Sequence, residues 1–190
     1  MSLQLTGVPE ADAVLEQDPF ALVSAMMLDQ QYPMEHAFRG PWKVLERFGT
    51  LEPAAIAGAD PDAFAALCAT PPAVHRYARS MAARLQELAR VVVDDYDGDA
   101  SRIWTEAATG ADLLRRVQAL PGFGKQKAAI FVALLAKQRG VRPDGWEKAA
   151  GDYALEGYRS VADVVDAESL QRVRDYKKAK KAEAATRRTS

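Results

Sequence analysis

The stretch Leu120-Pro121-Gly122-Phe123-Gly124 most constrains what this chain can become. Two glycines one residue apart follow a proline, with helix-period sequence on both sides: "DLLRRVQAL" before, and "KQKAAIFVALLAKQR" after. A helical chain that stops on such a turn and restarts at once predicts two helices joined by a tight glycine hairpin. Glycine supplies the positive φ a tight turn needs. The restarting helix exposes backbone N–H groups and the positive end of its dipole. Such an end seats an anion, and phosphate suits it. Lys125 and Lys127 add charge beside it. Nothing there reads base edges, so the grip would follow the backbone and weaken with salt. A dinucleotide fold would need a preceding strand and a third glycine, and a P-loop would need Gly-Lys-Ser/Thr in a longer loop. Neither is present. The plain alternative is a helix–helix turn without a ligand.

Charge patterning favours the anion. The formal net charge is −1 over 190 residues. Yet residues 113–142 hold seven Arg or Lys and no acid, and residues 171–190 hold eight basic and two acidic residues. Two basic segments in a near-neutral chain suggest a polyanion partner. The hairpin segment carries that argument; the tail alone reads as a solvated end. At 48% hydrophobic and 27% charged, the composition is that of a soluble globular protein.

The rest of the chain is also helical in period. Asp18-Pro19 and Asp60-Pro61 read as caps followed by proline in the first turn. "FALVSAMML" is apolar all round and predicts a buried central helix that stops at Asp29-Gln30-Gln31. Gly40-Pro41 breaks or restarts a helix running to Gly49, and Leu51–Ala57 is a short helix. "AVHRYARSMAARLQELARVVV" is a long amphipathic helix, Thr109 a cap, and "WEKAAGDYAL" and "VADVVDAESLQRVRDYKKAKKA" further helix. No run is long enough to span a bilayer, and no secretion signal is evident. The expected class is all-α, with two helical lobes and a cleft between them: residues 18–140 in one, with the helix-hairpin-helix at 112–139, and residues 1–17 joined to 141–190 in the other.

The single cysteine, Cys68, excludes an internal disulfide or a cysteine-rich metal cluster and fits a reducing compartment. His36 and His75 lack companions at ligand spacing, so no metal is expected.

These residues resemble the helix-hairpin-helix DNA glycosylases, the endonuclease III and alkyladenine glycosylase superfamily. "LPGFG" and the alanine-rich helix after it fit that pattern, "GVRPDGW" places Asp144 at the spacing of the family's essential aspartate, and "DPFALVSAMMLDQQYP" is similar to its early buried helix. The resemblance covers roughly residues 18–145. It implies base excision from lesion-containing double-stranded DNA by a monomer, cytoplasmic or nucleoid-associated in a bacterium. By resemblance, Asp144 is the catalytic carboxylate, Gln31 fills the gap left by an extruded base, and the hairpin residues Gly122, Phe123, Gly124, Lys125, Gln126 and Lys127 hold DNA. Hairpins of this family often bind a monovalent cation through backbone carbonyls. Trp146 and Tyr32 are base-pocket candidates, and Asp152 and Glu147 fallback carboxylates. Trp42 is expected in the core.

Two departures matter. Bifunctional members carry a lysine where Gln126 stands, so hydrolysis without strand cleavage is expected. No cysteine cluster follows, so no iron–sulfur centre is implied. A non-catalytic DNA clamp using the same hairpin is the alternative, and a helical interaction protein unrelated to DNA a third reading.

Overall fold

Asp18 begins the central helix as the sequence predicts: its carboxylate accepts the N–H groups of Phe20 (2.8 Å) and Ala21 (3.1 Å). Helix α2 (Pro19–Leu28) is buried on every side from Phe20 onward. The computed structural model describes residues 2–189, which form twelve helices and two short 3-10 turns, with no strand among them. Ahead of α2 lies α1 (Pro9–Gln17); after it come α3 (Met34–Phe38), α4 (Gly40–Phe48), α5 (Pro53–Gly58), α6 (Pro61–Ala69) and α7 (Ala78–Tyr96). Asp60 caps α6 through the Ala63 N–H at 2.8 Å, and Gly49 ends α4 in the left-handed region. Val91–Val93 continue α7 as helix. No helix among the described residues is long and apolar enough to cross a membrane.

The second half contains α8 (Arg102–Thr105), α9 (Gly110–Gln118), α10 (Lys125–Arg139), α11 (Trp146–Ala150) and α12 (Ala167–Thr189), with 3-10 turns at Gly151–Ala154 and Val161–Asp163. Thr109 caps α9 through the Asp112 N–H at 3.1 Å. The helix expected through "WEKAAGDYAL" is shorter: Gly151, at φ 58, switches α11 into the 3-10 turn. The last expected helix is also divided. A capping box between Ser160 and Asp163 closes the turn at Val161, and Asp166 accepts the Ser169 N–H at 2.7 Å to start α12.

Contacts cross residue 140. Gln138 donates to the carbonyls of Ala162 (2.9 Å) and Val164 (3.0 Å), and Lys137 pairs with Asp163 at 2.6 Å. These bonds stitch α10 to the segment expected in the other lobe, and α10 also packs against α9 and α11. In the N-terminal segment Leu3, Leu5 and Leu15 are buried, α1 packs on α2 and α4, and Arg139 donates to the Glu16 carbonyl at 3.1 Å. One apolar cluster runs from Leu3 to Val173 through both halves. Trp42, expected inside, is half-buried and stands outside that cluster.

Candidate functional site

The hairpin turn is built as its residues require. Gly122 sits at φ 80, and a Cβ there would meet the Met27 Cγ at 2.9 Å, so glycine is needed for both conformation and space. The Phe123 side chain is buried and packs against Phe131, with ring centroids 5.9 Å apart. It anchors the turn from inside, leaving only backbone for a partner. Gly124 is exposed, with open space where a side chain would stand. Among the described residues no side chain caps α10, so no side-chain oxygen takes up the N–H groups of its first turn, an arrangement able to seat an anion.

The turn brings the start of α10 to the end of α2, at a cavity of about 1050 Å³. The lining includes Asp29, Gln31 and Tyr32 after α2, Lys125, Gln126 and Lys127 on α10, Asp152 and Tyr153 on the 3-10 turn, and Tyr176, Lys177 and Lys180 on α12. Lys125 and Gln126 are exposed, and the Gln126 amide donates to the Tyr153 hydroxyl at 2.8 Å. Lys127 turns inward and donates to the Met27 carbonyl at 3.1 Å. That carbonyl belongs to the last turn of α2, where the dipole favours a cation. Burial drives the Lys127 ammonium down to about 8, against the opposing pull of Asp29.

Asp29 follows α2 directly. Its backbone N–H closes the helix on Ala25 and Met26, while its carboxylate takes part in no hydrogen bond among the described residues. Burial raises its pKa, and the nearby Lys177 and Lys127 ammonium groups pull it back. The loop beyond is fastened by His75. Its Nδ1 accepts the Tyr77 N–H at 3.0 Å, which leaves Nε2 to donate to the Gln30 carbonyl at 3.0 Å. The Tyr32 ring lies tilted on the imidazole at 4.7 Å. Held this way, Gln31 is exposed at the cavity with φ 51, a left-handed backbone rare for a non-glycine residue.

Asp144 stands in the turn before α11. It is exposed on a turn and is not among the residues lining the cavity. Its carboxylate does not cap α11, whose N-cap is Gly145. Instead its carbonyl accepts the Gly110 N–H at 2.8 Å. A Cβ on Gly110 would stand 2.5 Å from the Gly145 and Trp146 backbone, so the missing side chain lets this turn dock on α9. Trp146 is half-buried beneath the Arg142 guanidinium, also outside the cavity lining; Tyr32 is within it. Spacing along the chain therefore pointed to Asp144, whereas Asp29 and Asp152 are the carboxylates at the cavity. The sequence did hold a signal for Asp29: a charge directly after a helix buried on all sides must stand at the edge of the core.

Among the described residues no group of three or more His, Cys, Asp or Glu is placed to hold a metal ion. No curated protein and no solved structure matches the chain. A family model does match it, over residues 24–190, and so includes the C-terminal segment beyond residue 145. With an all-helical fold, a glycine hairpin and an uncapped helix start at a cation-lined cavity, the chain belongs to the HhH-GPD superfamily of base excision DNA repair proteins.

Proposed function

We propose that this protein is a monofunctional DNA glycosylase acting as a monomer. It extrudes a damaged or mispaired base from double-stranded DNA into the cavity and hydrolyses the bond between that base and its deoxyribose. The observation that carries this reading is convergence: the uncapped start of α10, the exposed Gln31 and the unbonded Asp29 carboxylate all meet at one cavity.

Each part has a physical role. The α10 N–H groups and Lys125 hold a backbone phosphate without reading sequence. Gln31 occupies the gap in the stack, offsetting the few kcal/mol that extrusion costs. As the C1′–N bond breaks, the electron pair leaves with the base and positive charge grows on the sugar. Asp29, ionised, stabilises that charge and accepts a proton from the attacking water, whose oxygen bonds to C1′. Lys127 and Lys177 favour the ionised carboxylate where burial opposes it. No lysine stands at position 126, which supports hydrolysis over an imine route.

Base release from a panel of lesion-containing duplexes tests the reading. Asp29→Asn should lower excision by about 100-fold or more while duplex binding persists. Asp144→Asn should retain excision. The reverse pattern overturns the assignment of the carboxylate, and duplex binding with no release from any lesion identifies a non-catalytic clamp instead.

A further inference from the structure

Helix α12 meets the protein body at its base. Ser169 and Val173 are buried, Arg174 pairs with Glu35, and Tyr176, Lys177 and Lys180 line the cavity. From Lys177 to Thr189 every residue is exposed. That projecting segment carries six cations, Lys177, Lys178, Lys180, Lys181, Arg187 and Arg188, against the single acid Glu183. None of the six is in an ion pair among the described residues, so the usual support of a helix polar on all sides is missing.

The cations are not spread evenly. At about 100° per residue, Lys177, Lys180, Lys181, Arg187 and Arg188 fall within about 120° of one another, while Lys178 and Glu183 lie to either side. This face begins at the cavity wall, because Lys177 and Lys180 belong to the lining. It continues outward for about 16 Å, at 1.5 Å per residue from 177 to 188. Phosphates of one strand recur about every 3.4 Å along a duplex, so the stripe spans about five of them.

We infer that the projecting half of α12 is a second DNA-binding surface, a rail that tracks the duplex flanking the extruded nucleotide. This rests on the proposed glycosylase reading, because the cavity fixes where the duplex begins. Charge complementarity and continuity with the cavity argue for the occupant. The contact would be sequence-independent, since lysine and arginine on a stripe meet phosphates rather than base edges.

Duplex binding by the full chain, measured by fluorescence anisotropy across a salt series, tests the rail. The triple variant Lys181→Gln, Arg187→Gln, Arg188→Gln leaves the cavity-lining lysines in place. Its slope of log K against log salt should be shallower than the wild-type slope by about 2–3. Lengthening the duplex by about five base pairs on one side should tighten wild-type binding but not that of the variant. A double variant, Arg187→Lys and Arg188→Lys, keeps the charge and should keep the slope, which separates lost phosphate contacts from a lost helix. An unchanged slope in the triple variant overturns the rail. So does binding to single strands that gains nothing from a duplex. Duplex binding that depends on Lys125 but not on the tail overturns the rail alone; absence of duplex binding in the wild type overturns the glycosylase reading with it.

Discussion

The ammonium nitrogen of Lys127 lies 3.1 Å from the carbonyl oxygen of Met27, a residue one hundred positions earlier in the chain. This contact joins the start of α10 to the end of α2, and Lys127 also lines the cavity. It also holds a cation in a half-buried place, with its folded-state pKa down at about 8 from the ordinary 10.5. Between those values the unfolded chain binds more protons than the folded one, so this group's contribution makes stability rise with pH. Below about 8 the cost of burying the charge is fully present. It is relieved as pH climbs towards 10.5. The stability difference between wild type and Lys127→Met should therefore shift in favour of wild type by about 1–2 kcal/mol between pH 7.5 and 10.5, allowing for partial exposure. Urea melts of both proteins at the two pH values measure it; a constant difference would show that the amine is solvated.

The Gly110 contact makes a separate prediction about stability. Gly110→Ala drives a Cβ into backbone atoms at 2.5 Å and threatens the Gly110 N–H bond to the Asp144 carbonyl. Overpacking of this kind costs about 1–3 kcal/mol. Gly124→Ala is the control: its φ is −80, and the space beside it is open. Its stability should stay within about 0.5 kcal/mol of wild type. Denaturation midpoints compare the two, and equal losses would mean that the close approach at Gly110 relaxes freely.

Local chemistry was legible in the sequence, and long-range placement was not. Asp18, Asp60 and Thr109 cap the helices they precede because a cap depends on a few neighbouring residues. The glycine hairpin was legible for the same reason. The candidate carboxylate was harder. Asp144 stands at a suggestive spacing, but its position in space depends on Gly110 admitting the 144–146 backbone, a contact between distant segments. Asp29 read as the polar stop of a buried helix, and only the meeting of α2 with α10 and α12 gives it a cavity to face. Phe123 and Lys127 likewise read as outward-facing members of a binding turn; one plugs the core and the other reaches for α2. The tail read as a solvated end, yet its base supplies part of the cavity wall.

Position 126 tests the chemistry of the site directly. The Gln126 amide reaches the Tyr153 hydroxyl across the cavity lining, so a side chain of this length is directed at bound DNA in the proposed complex. Gln126→Lys should introduce an amine able to form an imine with the C1′ of an abasic site. Borohydride should then trap a covalent protein–DNA complex with the variant and none with wild type. Wild-type trapping at Lys127, whose low pKa makes its amine readily available, would overturn the monofunctional assignment.

Gln31 combines an unfavourable backbone with an exposed side chain, a pairing that makes little sense for stability alone. Its φ of 51 costs a non-glycine residue roughly 1 kcal/mol, and the His75 bond to the neighbouring Gln30 carbonyl holds the loop in place. Gln31→Gly removes that strain but adds freedom to the unfolded chain, so net stability should move by no more than about 1 kcal/mol. Function should respond differently. Without a side chain to fill the vacated position, the extruded state loses support, and a loss of about 1.4 kcal/mol lowers the rate tenfold. Single-turnover base release from a fully paired lesion duplex should therefore fall about tenfold. Release from a lesion placed opposite an abasic gap should change much less, because the stack there is already broken. Equal losses on the two substrates would assign Gln31 to general binding rather than to the extrusion step.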